Sequence, residues 1–417
     1  MPTRLAAQAL EAFRTGAWFN RTRARGYLIV LAALTVIGAA VFLALSDGVL
    51  DAMGRPIGSD FASFWTASQL ALSGAPADAW SIAAHAHRQA EAFGPDAGYA
   101  AFFYPPPYLL VCLPLGLAPY LVALSIWLAA TGAAWAKMAR AWLGDVGQSR
   151  MIWLALAAFP AVIVNIGHGQ NGFLTAALLG AGALLHQRRP YLAGILFGAL
   201  VIKPHLAVLV PLFLIFGGNW RSFVSAGATA AALCVASWWV FGAQAWLAFL
   251  ENSTTARAVL DDNLVGFAKM QSAFAGVRVL GGNAGAAWVV HGVFACGAVF
   301  ALWRVRRTGD ACASGAALVC ASLLATPFLL DYDLTLLIVP IAWLFASAVR
   351  GGFLPWERMA LLGAYLLPLV SRPLATAAHF PIAPVLIAAL LICIVRRAEA
   401  KGEDVPPPSP AAAARGA

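Results

Sequence analysis

Residues 192–216 read LAGILFGALVIKPHLAVLVPLFLIF, an apolar run interrupted once, by Lys203-Pro204-His205. A bilayer core of about 30 Å takes roughly 20 apolar residues per crossing helix, so the halves on either side of the interruption are each too short to cross at full thickness. Two readings are open: half-helices meeting at Lys203-Pro204, or one span broken by the proline. Lys203 is the most expensive residue here. A lysine within the membrane costs on the order of 2.5–3.5 kcal/mol on insertion scales, so it has either a partner or a task, unless it snorkels to a nearby surface.

Working outward, the run is one of a series. Of the 417 residues, 61% are apolar and 11% charged, with a mean hydropathy of +0.79; soluble domains average roughly 25% charged. The fold class expected is an all-α integral membrane protein with about 12 transmembrane helices. The spans read are 27–46, 107–116 leading into 119–143, 151–167, 172–187, 190–202, 205–218, 222–242, 284–303, 312–330, 333–349, 357–371 and 382–395.

With this count and the N-terminus inside, most of the 27 basic residues fall on one side, as the positive-inside tendency requires. The exceptions are Arg55, Arg88, Lys203, Arg257, Lys269, Arg278 and Arg372. Both termini are then cytoplasmic: residues 1–26 form a cytoplasmic segment before a retained signal anchor, 27–397 the transmembrane domain, and 398–417 a disordered Pro/Ala-rich tail. The net charge of +9 is a topology signal and gives no support to nucleic-acid binding. The six cysteines lie in apolar stretches without CxxC spacing, against both a disulfide framework and a zinc site.

Polar chemistry collects outside. Two loops there are long, 47–106 and 243–283. In the first, Phe61, Phe64, Trp65 and Leu72 recur at helical spacing after Ser59 as N-cap, which predicts a short amphipathic helix along the membrane interface. Asp60 then lies in the first turn, where an acid complements the helix dipole. Tyr104-Pro105-Pro106-Pro107-Tyr108 forces an extended start to the next helix. His85 and His87 are two apart without an evident third metal ligand.

The turn His168-Gly169-Gln170-Asn171-Gly172 contains more hydrogen-bonding side chains than a tight turn needs, so sugar or phosphate binding stands beside the plain-turn reading. Asp331-Tyr332-Asp333 places two carboxylates where they would hold a cation, accept sugar hydroxyls or end a helix in water. The second loop supplies Arg257, Asp261, Asp262, Lys269, Gln271 and Arg278, whose cations suit an anion such as phosphate or a solvated loop face.

Taken in order, SDF at 59–61, YPPPYLLVCLPLGLAPY at 104–120 with Trp127 downstream, HGQNGFLTAALL at 168–179, KPHLAVLVPLFL at 203–214, and TP at 326–327 followed by DYDLTLL at 331–337 resemble glycosyltransferase family 87. That family includes polyprenyl-phosphate-mannose-dependent α-mannosyltransferases of bacterial envelopes. The resemblance implies a C-type glycosyltransferase fold, with its active site under a long first periplasmic loop that carries amphipathic helices. It also implies that Asp60 is the general base.

The donor implied is a polyprenyl-phosphate sugar, the acceptor an envelope glycolipid or glycan, the location the bacterial inner membrane, and no metal or other cofactor is expected. Substrate-binding candidates are Lys203, His205, His168, Gln170, Asn171, Tyr104, Arg257, Lys269, Gln271, Arg278, Asp331 and Asp333. The last motif departs from the mannosyltransferase branch: Leu330-Asp331-Tyr332-Asp333 stands where that branch has a Trp and His pair. From another class, a flippase of lipid-linked sugars or a non-catalytic assembly protein would share the outward polar loops.

Overall fold

A computed structural model describes residues 2–261 and 266–403, with side chains over 7–253 and 266–400. Among these residues every regular element is a helix, and β-type pairing is confined to single bridges such as Met270 with Leu330. The chain begins with α1 (Pro2–Thr15), α2 (Arg21–Ala44), α3 (Phe61–Leu72), α4 (Ile82–Phe93), α5 (Pro106–Cys112) and α6 (Tyr120–Leu143). It continues through α7 (Arg150–Ala157), α8 (Pro160–His168), α9 (Gly172–Leu185), α10 (Pro190–Gly198), α11 (Val210–Phe216) and α12 (Trp220–Asp261). The last group is α13 (Ala273–Val279), α14 (Ala284–Arg307), α15 (Ala311–Ala325), α16 (Ile338–Gly351), α17 (Glu357–Ala378) and α18 (Ala383–Glu403).

Several starts follow from local capping chemistry: Asn20, Ser81, Ser272, Asn283 and Asp310 each accept from a backbone N–H in the first turn of the helix they precede. By length and composition, 6 helices among the described residues can cross a bilayer, or up to 7 with α7 and α8 counted as one span bent by 46°. Pro160 at the start of α8 accounts for that bend. The remaining apolar helices are shorter, 10–17 residues, so the long helices alone do not make up the count of about 12 read from the sequence.

The run at 192–216 resolves into two half-helices. Lys203, at φ −148° and ψ 69°, separates one 3-10 turn over Ala199–Ile202 from another over Pro204–Ala207. The halves double back. Ser222 Oγ, at the start of α12, donates to Pro190 O at 2.9 Å, and the Phe213 ring near the end of α11 packs against His186 just before α10. The start of α10 and the end of α11 therefore lie together, with Lys203 at the far tip. A Cβ at Gly194 would stand 2.5 Å from Ser225 Cβ, so α10 and α12 touch nearly backbone to backbone, as small residues permit in membrane helices.

At the end of the bundle where this hairpin opens, basic side chains gather. Arg306 meets His186 and the Phe213 ring, Arg304 pairs with Glu399, Arg350 with Asp145, and Arg397 with Glu357 in a buried bidentate contact. Lys203 and the polar loops occupy the opposite end.

Two loop expectations change, and the two loop histidines find their places. Helix α12 continues past Gly242, a non-helical break at φ 76° and ψ 173°, so much of the segment read as an outer loop from 243 is helix. Helix α3 is not a surface helix: Phe61, Ala62, Phe64, Thr66, Ala67 and Ser68 are all buried. Two of its polar side chains bond to other backbone, Ser68 Oγ donating to Leu113 O at 2.8 Å and Trp65 Nε1 to Ala118 O at 3.0 Å. Finally, His85 and His87 sit on helix α4 and diverge; His85 is buried against Ser63 O and Gln89, while His87 faces Glu91.

Candidate active site

Asp60 stands at the N-cap position of α3 with helical dihedrals and makes no capping hydrogen bond; Ser59, expected as the cap, does not serve as one. The carboxylate instead turns toward the loop between α8 and α9. Gln170 Nε2 donates to Asp60 Oδ2 at 3.0 Å, His168 Nδ1 lies 3.6 Å from Oδ1, and Lys269 Nζ lies 3.6 Å from Oδ2. The Ser59 hydroxyl reaches both Asp60 Oδ1, at 3.4 Å, and His168 Nδ1, at 3.5 Å.

The first loop and the HGQNG turn are fastened by backbone as well. Asp60 N donates to His168 O at 3.0 Å, and Trp127 Nε1 donates to Gly169 O at 3.2 Å. Gly169 is required at its place: φ is +63°, and a Cβ there would lie 2.6 Å from Phe61 Cβ. Tyr120, at the start of α6, holds the other side of the loop through its hydroxyl bonds to Ile57 O and Gly58 O.

Burial pushes the Asp60 carboxyl up, but the His168 contact, the Lys269 charge and the Gln170 bond outweigh it and hold the group well below the ordinary aspartate range. The result is a carboxylate, 23% exposed, that is ionised across neutral pH and carries a cation beside it.

Around this carboxylate the expected residues divide. Tyr104 donates from its hydroxyl to Gln170 Oε1 at 3.0 Å, and the same oxygen accepts from Asn171 N at 2.9 Å, so the Gln170 amide is oriented before it meets Asp60. Asn171 Oδ1 accepts from Lys203 at 3.2 Å, and Lys203 Nζ meets Asp333 Oδ1 at 2.5 Å with both side chains nearly or fully buried. Lys203 neither snorkels nor stands as an open cation; it ties the hairpin tip to the Asp331–Leu337 turn.

The carboxylates of the DYD segment face apart. Asp333 takes Lys203 and the Leu330 N–H, whereas Asp331 takes Arg372 from α17 at 3.1 Å. His205 follows Lys203 but contacts the Phe328 ring and does not touch Asp60. Gln271 bonds back to Ala268 O and Lys269 O, which shapes the turn that carries Lys269. Arg278 bonds to Gly282 O and lies over the Phe267 ring. The side chains of Arg257, Asp261 and Asp262 lie outside the described residues.

Residues absent from the candidate set complete the site. Tyr332, buried between the two expected acids, presents its ring to His168, Lys203 and Lys269. Ser59 and Arg372 also take part. Arg372 carried a sequence signal, as one of the basic residues on the acidic side, and the tyrosine had none beyond its two neighbours.

A partly exposed carboxylate with an adjoining cation and an oriented amide can accept a proton from a bound hydroxyl and hold an anion nearby. No curated protein and no solved structure matches the chain. The description of glycosyltransferase family 87 matches residues 102–327, which covers the HGQNG turn, the hairpin at Lys203 and the Lys269 turn, and begins after Asp60. That match spans more than half of the sequence, and the chain belongs to glycosyltransferase family 87.

Proposed function

We propose that this membrane glycosyltransferase moves a hexose, mannose in the first instance, from a polyprenyl-phosphate donor to an envelope glycolipid or glycan acceptor. The place is the outer face of the bacterial inner membrane, with both termini cytoplasmic. One observation carries the reading: the Asp60 carboxylate accepts from Gln170 and adjoins Lys269 at the meeting point of the first loop, the HGQNG turn and the Lys269 turn, on the end of the bundle opposite the basic residues.

In the proposed step the acceptor oxygen attacks the anomeric carbon while its proton passes to Asp60. The bond from that carbon to the phosphate oxygen breaks, and the phosphate leaves with the electron pair. Lys269, partly exposed and 3.6 Å from Asp60, is the cation best placed to stabilise the leaving phosphate. Lys203 is already matched by Asp333 and has a structural part. With one base and no second carboxylate positioned as a nucleophile among the described residues, transfer inverts the anomeric centre.

The broken helices α10 and α11 are a feature shared with transporters of lipid-linked sugars. The closed Lys203 and Asp333 pair at their tip favours a fixed hairpin. The deciding experiment supplies purified protein with radiolabelled polyprenyl-phosphate hexoses and a membrane lipid extract, and compares wild type with Asp60→Asn. Transfer by wild type and its loss in the variant are expected. Failure to transfer from every donor, or equal transfer by both proteins, would remove the assignment; movement of an unaltered lipid-linked sugar across proteoliposomes would replace it with the flippase reading.

A further inference from the structure

Two lysines share one aromatic ring. Lys203 Nζ lies 4.8 Å from the centroid of Tyr332 and Lys269 Nζ lies 5.5 Å from it. Their carboxylates hold them differently. The Lys203 and Asp333 pair is closed at 2.5 Å and 3% and 0% exposed, while Lys269 stands 3.6 Å from Asp60 with the two side chains 16% and 23% exposed. A separation of 3.6 Å is outside the hydrogen-bonding range of about 2.7–3.2 Å, so an incoming anion can compete for Lys269 far more readily than for Lys203.

The backbone registers Lys269 with the ring. Gln271 N donates to Leu329 O at 2.6 Å and Met270 bridges to Leu330, which places the Lys269 turn directly beside the segment that leads into Tyr332. A ring face attracts a cation within about 6 Å without neutralising it, so it retains the ammonium while leaving the charge available.

We infer that Tyr332 is a positioning residue that keeps Lys269 as a transferable counter-ion, held on Asp60 before the donor binds and passed over the same ring to the donor phosphate. This rests on the glycosyl-transfer reading. Its consequence is an order of events: when the phosphate takes Lys269, Asp60 loses its cation and becomes a stronger proton acceptor, so the base is released only with the donor in place. Asp60 and the phosphate are then thermodynamic competitors for one ammonium, and each weakens the other's hold on it.

The test measures binding alone, with farnesyl phosphate titrated into the purified full-length protein in detergent. Asp60→Asn removes the competitor and strengthens farnesyl phosphate binding, by about tenfold if the coupling is of ordinary size. In a Lys269→Gln background the same change gives less than about a twofold gain, a non-additivity expected of groups in contact. Tyr332→Leu abolishes the gain and Tyr332→Phe preserves it; Tyr332→Met reads the same loss of the ring if the leucine variant does not accumulate.

A gain from Asp60→Asn that persists without Lys269 would reflect simple repulsion between two anions and overturn the proposal, as would no gain at all. The cycle needs no turnover. Absence of sugar transfer with the cycle intact would sink the enzyme reading alone, and transfer with an additive cycle would sink the shared counter-ion alone.

Discussion

Lys203 Nζ meets Asp333 Oδ1 at 2.5 Å across 130 positions of sequence, joining the tip of the α10 and α11 hairpin to the turn that begins α16. Removing one partner leaves the other charge buried. Lys203→Met or Asp333→Asn should therefore destabilise the protein by about 3–5 kcal/mol, and Lys203→Met with Asp333→Leu should recover most of the loss. Thermal unfolding of the purified variants checks this, and single variants as stable as wild type would contradict a dry, closed pair.

Asp60→Asn keeps the shape and most of the contacts of the side chain while removing its basicity. Transfer should fall by about 10²–10⁴-fold, the usual share of a general base, well beyond what the accompanying loss of the carboxylate's stabilising contacts explains. A loss below about tenfold would place the base elsewhere.

The depressed pKa of Asp60 has a sign that can be tested. The carboxylate contacts stabilise the folded chain at pH above the ordinary aspartate value, and that contribution is lost as pH falls through the lower folded value. For the same reason the acid limb of kcat/KM, which reports the free enzyme, should lie below the usual aspartate range. Lys269→Gln removes one of the causes of the depression, so it should shift this limb upward; a downward shift or none would show that Lys269 does not act on Asp60.

Gly169→Ala should lower stability by about 1–3 kcal/mol, because the position combines a left-handed backbone with a Cβ 2.6 Å from that of Phe61. Gly218→Ala is the control. Its φ is +62° with nothing within 4 Å of the added carbon, so only backbone strain applies and the melting temperature should drop less.

The hairpin has a topological consequence. In a cysteine-free background, single cysteines at Arg188 and Trp220 should label from the same side of the membrane, since the chain enters and leaves the α10 and α11 pair at one end of the bundle. Labelling from opposite sides would mean a single kinked span.

The polar turn at 168–172 and the aspartate at 60 stood out in the sequence because each interrupts or flanks apolar helix with groups that water or a ligand must satisfy. Their convergence did not, since the contact between Gln170 and Asp60 spans 110 positions and depends on how α3 settles behind α6. Lys203 illustrates the opposite case. Its burial was legible, and from burial alone an anion-binding task and a structural pairing look the same; Asp333 distinguishes them. Tyr332 left no mark of its own between two acids, and in the sequence Arg278 and Lys269 are both simply cations of the second loop.

What the sequence determined by itself is the class of solvent and the uneven distribution of basic and acidic residues among the breaks between apolar runs. Hydropathy and charge bias are sums over adjacent residues, and an apolar stretch must be helical in lipid whatever its neighbours do. The tertiary structure alone decided which charges neutralise one another, that Lys203 is closed on Asp333 and Lys269 stands open beside Asp60. Coulombic pairing depends on separations of a few ångströms between helices distant in the chain, and no local property of either lysine encodes that distance.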